Sequence, residues 1–307
     1  MTRTESGTPA DVWILLRERP AGPVRSTQAL LDALTETYGS RFAVWHTDEL
    51  LMGVTGGRLV LRTLGGVDVP PPRVVLVRQV PGTMSGNREI TLLRHLELLG
   101  AAVVNPPDAH RRCGNKMEQL QHLALAGLPV PDSLSYATAP LAGVVRAPGV
   151  PMPCVVKSGS GMGGEQVFLA ADGALLSAVA GSLAQDVPWV LQEYVTHSHG
   201  RDLRVVVVDG RAVAAQIRTS ADGSLTANLA RGGTSEVCTG RYPRAESLAV
   251  AAARALGLSI AGVDLLFGPA ERPVVCEVNA VPGFLAYTSR VVTAILEYAE
   301  SLLTDAS

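Results

Sequence analysis

Apolar runs and amphipathic stretches alternate over the first hundred residues. DVWILLRE (11–18) reads as a buried strand, and the next stretch as a helix with Leu30, Leu31 and Leu34 on one face and Ser26 as its cap. FAVWH follows as a second strand. Beyond a polar, glycine-rich stretch around Gly53 to Gly66, PPPRVVLVR predicts another buried strand, a helix runs from about Asn87 to a stop at Gly100, and AVVN is strand up to Pro106-Pro107. Strand and helix in alternation predict an α/β domain ending at residue 106.

The pattern then changes twice. From Lys116 a helix carries Leu120, Leu123 and Leu125 to Gly127, PCVVK and QVFLA are strands, and GALLSAVAGSL is a helix. From Trp189 the strands lengthen: WVLQEYV, then DLRVVVV and RAVAAQIR joined by Asp209-Gly210, a strong two-residue hairpin signal. An alanine-rich helix from Ala245 to Leu256, closed by Gly257, leads to a further hairpin, and a last helix spans roughly Ser289 to Leu303. Three parts are expected, 1–106, 107–188 and 189–307.

That further hairpin carries the most informative chemistry. AGVDLLF and VVCEVNAVPG flank Gly268 to Pro273, and a turn centred between Ala270 and Glu271 sets Asp264 directly across from Glu277. Period-2 alternation puts Asn279 on the face of Glu277, and sends Val263, Leu265, Phe267, Val274, Cys276 and Val278 to the other, core face. Carboxylates opposed at roughly 5 Å repel unless a cation lies between them. A hard, oxygen-seeking ion fits, and Mg²⁺ held by few protein ligands usually also binds substrate phosphates. The alternative is a solvated acidic face that binds nothing.

Composition narrows the setting. With 307 residues, 47% hydrophobic and 18% charged, the chain is long enough for a sizeable core in two or three subdomains. A formal charge of −2 provides no global field for nucleic acid or anionic membrane. Cys113, Cys154, Cys238 and Cys276 are too far apart for a zinc or redox motif, and Cys154 and Cys276 read as reduced core residues. No apolar run approaches the ~20 residues that span a bilayer, and no signal-peptide core opens the chain, so a cytoplasmic location is expected.

Gly159-Ser160-Gly161-Met162-Gly163-Gly164 satisfies G-x-G-x-x-G, yet strand-like QVFLA follows where a dinucleotide fold needs a helix. A glycine loop between two strands is able to fold over phosphates, with Lys157 at the end of PCVVK as a point charge; a mobile hairpin loop and a solvated lysine are the alternatives. Lys116 opens a helix, where its charge opposes the dipole and hints at a nearby anion. Gln192-Glu193-Tyr194-Val195 ends a buried strand at an edge suited to hydrogen-bonding an adenine ring, or is merely an edge strand. Asp202 and Arg204 share a strand face, but a strict turn at Asp209-Gly210 puts Arg218 on the opposite one. A β-bulge is needed for both arginines to serve one site.

Taken in order, Asn115-Lys116, CVVK with its glycine loop, QEYV, RDLR, NLARGG (228–233), AGVDLL and CEVNAVPG resemble the ATP-grasp superfamily, and most closely its RimK-type glutamate ligase branch. The likeness covers roughly Asn105 to Phe284. It implies an α/β fold with α+β lobes: an N-terminal α/β domain, then two lobes clamping ATP between antiparallel sheets. By resemblance, Lys116 and Lys157 hold phosphates, the loop with Ser160, Gly161 and Gly163 covers them, and Gln192, Glu193, Tyr194 and Val195 contact adenine. Asp202 is expected toward the ribose, Asn228 near the phosphates, and Arg204 and Arg218 at an acyl-phosphate. Asp264, Glu277 and Asn279 would hold two Mg²⁺ ions, or Mn²⁺, with Glu277 bridging. Many relatives have Asp where this chain has Asn115.

The implied reaction is ATP-dependent carboxylate–amine ligation through an acyl-phosphate, joining an amino acid such as glutamate to a small molecule, peptide or carrier protein. The expected partners are these carboxylate and amine substrates and a second copy of the chain, with no nucleic acid and no membrane. The alternatives are a ligase that cyclises or tailors a ribosomal peptide, a nucleotide-binding module without ligation, and a kinase acting on a hydroxyl.

Overall fold

The early apolar runs pair in parallel. A computed structural model describes residues 10–17, 25–78, 87–159, 166–184, 187–225, 227, 232–284 and 287–305. Its first part comprises β1 (Val12–Leu16), α1 (Arg25–Tyr38), β2 (Phe42–His46), β3 (Leu50–Thr55), β4 (Arg58–Thr63), β5 (Val74–Val77), α2 (Asn87–Leu98) and β6 (Ala102–Val104). Strands β2, β1, β5 and β6 form a parallel sheet in that order. Both faces are covered, which is why VWILL and VVLV are apolar throughout. Two details differ from the sequence reading. Ser26 lies inside the first turn of α1, buried with its hydroxyl unpartnered, and is not the cap. The glycine-rich stretch is itself a hairpin, β3–β4, turning on Gly56 and Gly57 at φ 57° and 74°, values that glycine adopts without a steric cost.

Next come α3 (Pro107–Cys113), which the sequence reading lacked, then α4 (Lys116–Leu125), β7 (Ser133–Leu134), α5 (Leu141–Val144), β8 (Cys154–Ser158), β9 (Val167–Ala170), α6 (Gly173–Ser182) and β10 (Trp189–Glu193). Strands β7, β10, β8 and β9 make an antiparallel sheet. Cys154, Val156, Trp189 and Leu191 pack beneath it with Leu176 and Ala180 of α6, while Lys157 and Gln192 occupy the other face. A boundary drawn between 188 and 189 runs through this sheet, because β10 pairs with β8 along its length.

The remainder is β11 (Arg201–Val208), β12 (Arg211–Thr219), β13 (Thr234–Val237), α7 (Pro243–Leu256), β14 (Ile260–Phe267), β15 (Pro273–Asn279) and α8 (Thr288–Asp305). Their strands form a five-stranded antiparallel sheet in the order β13-β12-β11-β14-β15. Leu203, Val205, Val207, Val263 and Leu265 face α7 in one core. Val206, Val208, Ala214 and Ile260 face the other way, into a core shared with α8, α1 and the parallel sheet. Asp202, Arg204 and Asp264 continue that second face by alternation, so the charged layer is the open end of a buried surface. Asn105 ties the parts together: its amide donates to the carbonyls of Ile260 and Ala280 at 2.7 and 2.8 Å and accepts from Ser259 and Ile260 N–H.

Candidate active site

Two bulges build the site. In the β14–β15 hairpin Asp264 stands opposite Glu277 and Gly262 opposite Asn279, the pairing expected of a turn centred between Ala270 and Glu271. Between Asp264 and Leu265 the register slips, and Leu265 pairs with Val275. Cys276 is therefore the extra residue. Val275 and Val278 take the core positions, and the Cys276 thiol comes within 4.0 Å of Lys157 Nζ and Gln192 Oε1. The expectation that Cys276 and Val274 face the core is corrected by this one-residue shift.

The second bulge lies on β12. Asp209 and Gly210 form the expected left-handed turn, at φ 49° and 67°. Val207 pairs with Ala212 but Val206 with Ala214, so Val213 is extra. Beyond it Arg204 opposes Gln216 and Asp202 opposes Arg218, which brings both arginines to the Asp264 face. The bulge that the sequence required, and could not locate, is at Val213.

On that face the charges interlock. Arg204 grips Asp264 with Nε and Nη2, the latter at 2.7 Å. Arg218 grips Asp202 at 2.6 and 2.7 Å and reaches Asp264 Oδ1 at 2.8 Å. Asn279 Nδ2 lies 3.5 Å from Asp264 Oδ2. Burial alone pushes the Asp264 carboxyl up, but Arg204 and Arg218 outweigh it and hold the group below the usual carboxylate range. Burial raises Asp202, with the neighbouring Asp264 charge adding and Arg218 only partly offsetting it. Burial would lower Arg218, yet Asp264 and Asp202 keep it well above its ordinary value.

Lysine occurs at two positions in the chain, 116 and 157, and both side chains enter this site. Asn115 caps α4 by accepting from the N–H groups of Met117 and Glu118 at 3.0 and 3.2 Å, which places Lys116 in the first turn. Gln119 Oε1 accepts from Val278 N–H at 2.9 Å, docking α4 onto β15. Lys116 Nζ then lies 3.3 Å from Glu277 Oε1, the anion its helix position hinted at. Lys157 is 5% exposed and donates to Gln192 Oε1 at 2.9 Å. That partner is neutral, so the buried ammonium lacks a counter-charge among the described residues.

The other expected positions divide. Glu193 N–H donates to Asp132 O at 2.7 Å, and its carboxylate accepts from Asp132 N–H, so part of this edge is committed within the protein. The Tyr194 hydroxyl pairs with His199 Nδ1 at 2.6 Å, and Val195 O accepts from Ser198 N–H. Ser160, Gly161, Gly163 and Asn228 lie outside the described residues. Asp264, Glu277 and Asn279 supply oxygen donors on one face, a set that suits a hard divalent ion. Arg204, Arg218 and Lys116 balance its charge. Among the described residues no three His, Cys, Asp or Glu side chains gather, and the third donor here is an amide. Sequence reading passed over Gln119, and over Arg78, taken up below. The restriction of lysine to two positions would have marked Lys116 and Lys157 together.

A model of the RimK-like ATP-grasp domain matches residues 113–298. The chain belongs to the RimK-like ATP-grasp family. It is 37% identical over 306 residues to beta-citrylglutamate synthase B of Homo sapiens, covering 97% of this chain and 79% of that one. To the probable alpha-L-glutamate ligase of Stenotrophomonas maltophilia (strain K279a) it is 34% identical over 254 residues, 78% and 81% of the two chains. The ATP-grasp ligase PsnB, solved with a phosphomimetic variant of its minimal precursor, Mg and ADP, shares the fold at a TM-score of 0.67 and 20% identity, over 95% and 99% of the chains. As a member of this family the protein is an ATP-dependent ligase that forms C–N bonds. No helix among the described residues is long and apolar enough to cross a membrane.

Proposed function

We propose that this ligase joins glutamate to a small carboxylic acid, with ADP and phosphate as by-products. The observation that carries the reading is the convergence of Lys157, Lys116 and Glu277, Arg204 and Arg218 from two sheets and a helix onto one charged layer. The relatives at 34–37% identity, named for glutamate-containing products or for glutamate ligation, supply the substrate class.

In this reading Lys157 and Lys116 hold the nucleotide phosphates, the loop with Ser160, Gly161 and Gly163 covers them, and Asn228 lies near them. The edge from Gln192 through Glu193 and Tyr194 to Val195 seats the adenine, and Asp202 lies toward the ribose. Asp264, Glu277 and Asn279 would hold two Mg²⁺ ions, or Mn²⁺, which would supply charge neutralisation at the transferring phosphate. Arg204 and Arg218, beside Asp264, would face the developing anion. A substrate carboxylate oxygen bonds to the γ-phosphorus while the bond to the ADP oxygen breaks. The amine then attacks the acyl carbon, forms the C–N bond, gives up its proton and expels phosphate. The four- and five-stranded sheets form the two lobes of the clamp, and the protein works as a homo-oligomer in the cytoplasm.

Carboxylate labelled with ¹⁸O is expected to deliver one label to inorganic phosphate, and the product mass to equal acid plus glutamate minus water. Label in AMP, or a phosphorylated hydroxyl acceptor, overturns the reading. Product formed on a peptide and on no small acid replaces it with peptide tailoring.

A further inference from the structure

Arg78 follows directly on β5, and its N–H donates to Leu15 O at 2.9 Å, beside the end of β1. In a sheet ordered β2-β1-β5-β6 the chain leaves β1 for β2 on one side and leaves β5 for β6 on the other. The carboxyl ends of β1 and β5 therefore flank the switch point at which open α/β sheets take their ligands. Arg78 stands at that crevice.

Its side chain is 5% exposed. Nη1 donates to Pro282 O at 2.7 Å, the guanidinium lies 4.9 Å over the Phe284 ring, and Nε has no partner. Burial lowers its pKa to about 10, so it is still a cation at neutral pH. No carboxylate among the described residues meets it. A buried guanidinium held by one carbonyl and a ring face is short of both charge and hydrogen bonds. The free Nε belongs to the edge with which arginine grips a carboxylate side-on.

Pro282 joins this group to the charged layer. A methyl on Gly262 would come within 2.6 Å of Pro282 Cβ and 3.2 Å of Arg204 Nη1, so the glycine lets the proline pack beside Arg204. Tyr287, from the same connection into α8, has a buried hydroxyl without a partner. Burial pushes it up to about 12, and the charges it senses include Arg204, Arg218 and Asp264.

We propose that Arg78 receives a substrate carboxylate other than the one that is phosphorylated, and thereby selects substrates with a second acid group. This rests on the ligase reading and adds a specificity determinant to it. The reacting carboxylate must meet phosphate near Lys157 and Glu277, whereas Arg78 belongs to the parallel sheet on the far side of Pro282. The second acid group belongs either to the acid substrate or to the amino acid that supplies the amine.

Calorimetric titration of the full chain, loaded with Mg²⁺ and a non-hydrolysable ATP analogue, separates the two. The probes are N-acetylaspartate against N-acetyl-β-alanine, and L-glutamate against L-glutamine. Arg78→Gln is expected to weaken one dicarboxylate about thirtyfold or more, the loss of a charge-assisted pair. Its monocarboxylate counterpart and the nucleotide analogue should stay within about threefold, since neither uses that pair. Loss on N-acetylaspartate places the group on the acid, and loss on glutamate on the amine. Arg78→Lys, which keeps the charge without the fork, is read the same way if the glutamine variant fails to fold. Binding unchanged in the variant, equal losses within a pair, or no preference of the wild type for either dicarboxylate overturns the proposal. Product masses keep the two readings apart: a C–N product with a neutral Arg78→Gln leaves the ligase standing and removes this inference, and no product from any pair removes the ligase reading itself.

Discussion

Two buried groups of charge face each other across the site, and they are completed to different degrees. On the five-stranded sheet Asp202 and Asp264 each receive a bidentate guanidinium, and Arg218 spans both. On the four-stranded sheet Lys157 is as deeply buried but has an amide oxygen and a thiol for company. The first group neutralises itself when the chain folds. The second has no counter-charge among the described residues. Removing a member should therefore move stability in one group and ligand affinity in the other.

The largest effect is expected from Arg218→Met. It strips Asp202 of its partner and leaves Asp264 to Arg204 alone, which costs about 3–5 kcal/mol when a buried pair is broken from one side. Urea unfolding measures it, and a loss below about 1 kcal/mol would mean that the layer is wetter than its geometry indicates.

Lys157→Ala should do the reverse. Without nucleotide its melting temperature is expected to equal or exceed that of the wild type, because an unpaired buried cation has been removed. Affinity for a non-hydrolysable ATP analogue should fall about thirtyfold or more. Lys157→Arg should recover only part of it, a planar fork being a poor substitute for a compact point charge. A lower melting temperature with unchanged affinity would place Lys157 among the structural residues and erase the contrast.

Acid sharpens the comparison within the first group. The Asp264 pKa is lowered in the folded state, so its contribution is present above the ordinary carboxylate value and is lost as pH falls through the folded one. From about pH 4 downward stability should decline by up to ~1.4 kcal/mol per pH unit for this proton, and Asp264→Asn should flatten that limb. An identical acid limb in the variant would assign the slope to other carboxylates.

The smallest effect concerns Asn115. Loss of the α4 cap in Asn115→Ala should cost about 1 kcal/mol, and Asn115→Asp should be nearly neutral, by thermal melting. The departure from the aspartate that the family resemblance leads one to expect here is then one of capping chemistry, since either side chain accepts the same two N–H groups.

Much of this was open to a reader of the sequence. The Asp209-Gly210 hairpin follows from two residues that tolerate left-handed backbone. A turn centred between Ala270 and Glu271 puts Asp264 opposite Glu277, and that pairing holds because the bulge at Cys276 offsets a turn centred on Ala270. The β3–β4 hairpin escaped notice because few of its strand residues are buried and its glycines resemble those of a loop. α3 was hidden by Pro106-Pro107, read as a break, although Pro107 occupies the first helical position, where a missing N–H is harmless.

What the sequence determined by itself was local: the periods of strands and helices, the turn chemistry, the oxygen donors on one strand face, and the confinement of lysine to two positions. Parity and partnership were set by contacts between distant segments. A single extra residue at Val213 or Cys276 reverses the face of everything beyond it, and no local propensity marks either position. Whether a bulge forms is settled across the sheet, by the packing of Val275 and Val278 and by the pairing of Arg218 with two carboxylates. Arg78 shows the same limit. Its residue type is plain in the chain, but that its charge is buried, and meets no counterpart among the described residues, is a property of the tertiary structure, in which Pro282 and Phe284 fold against it.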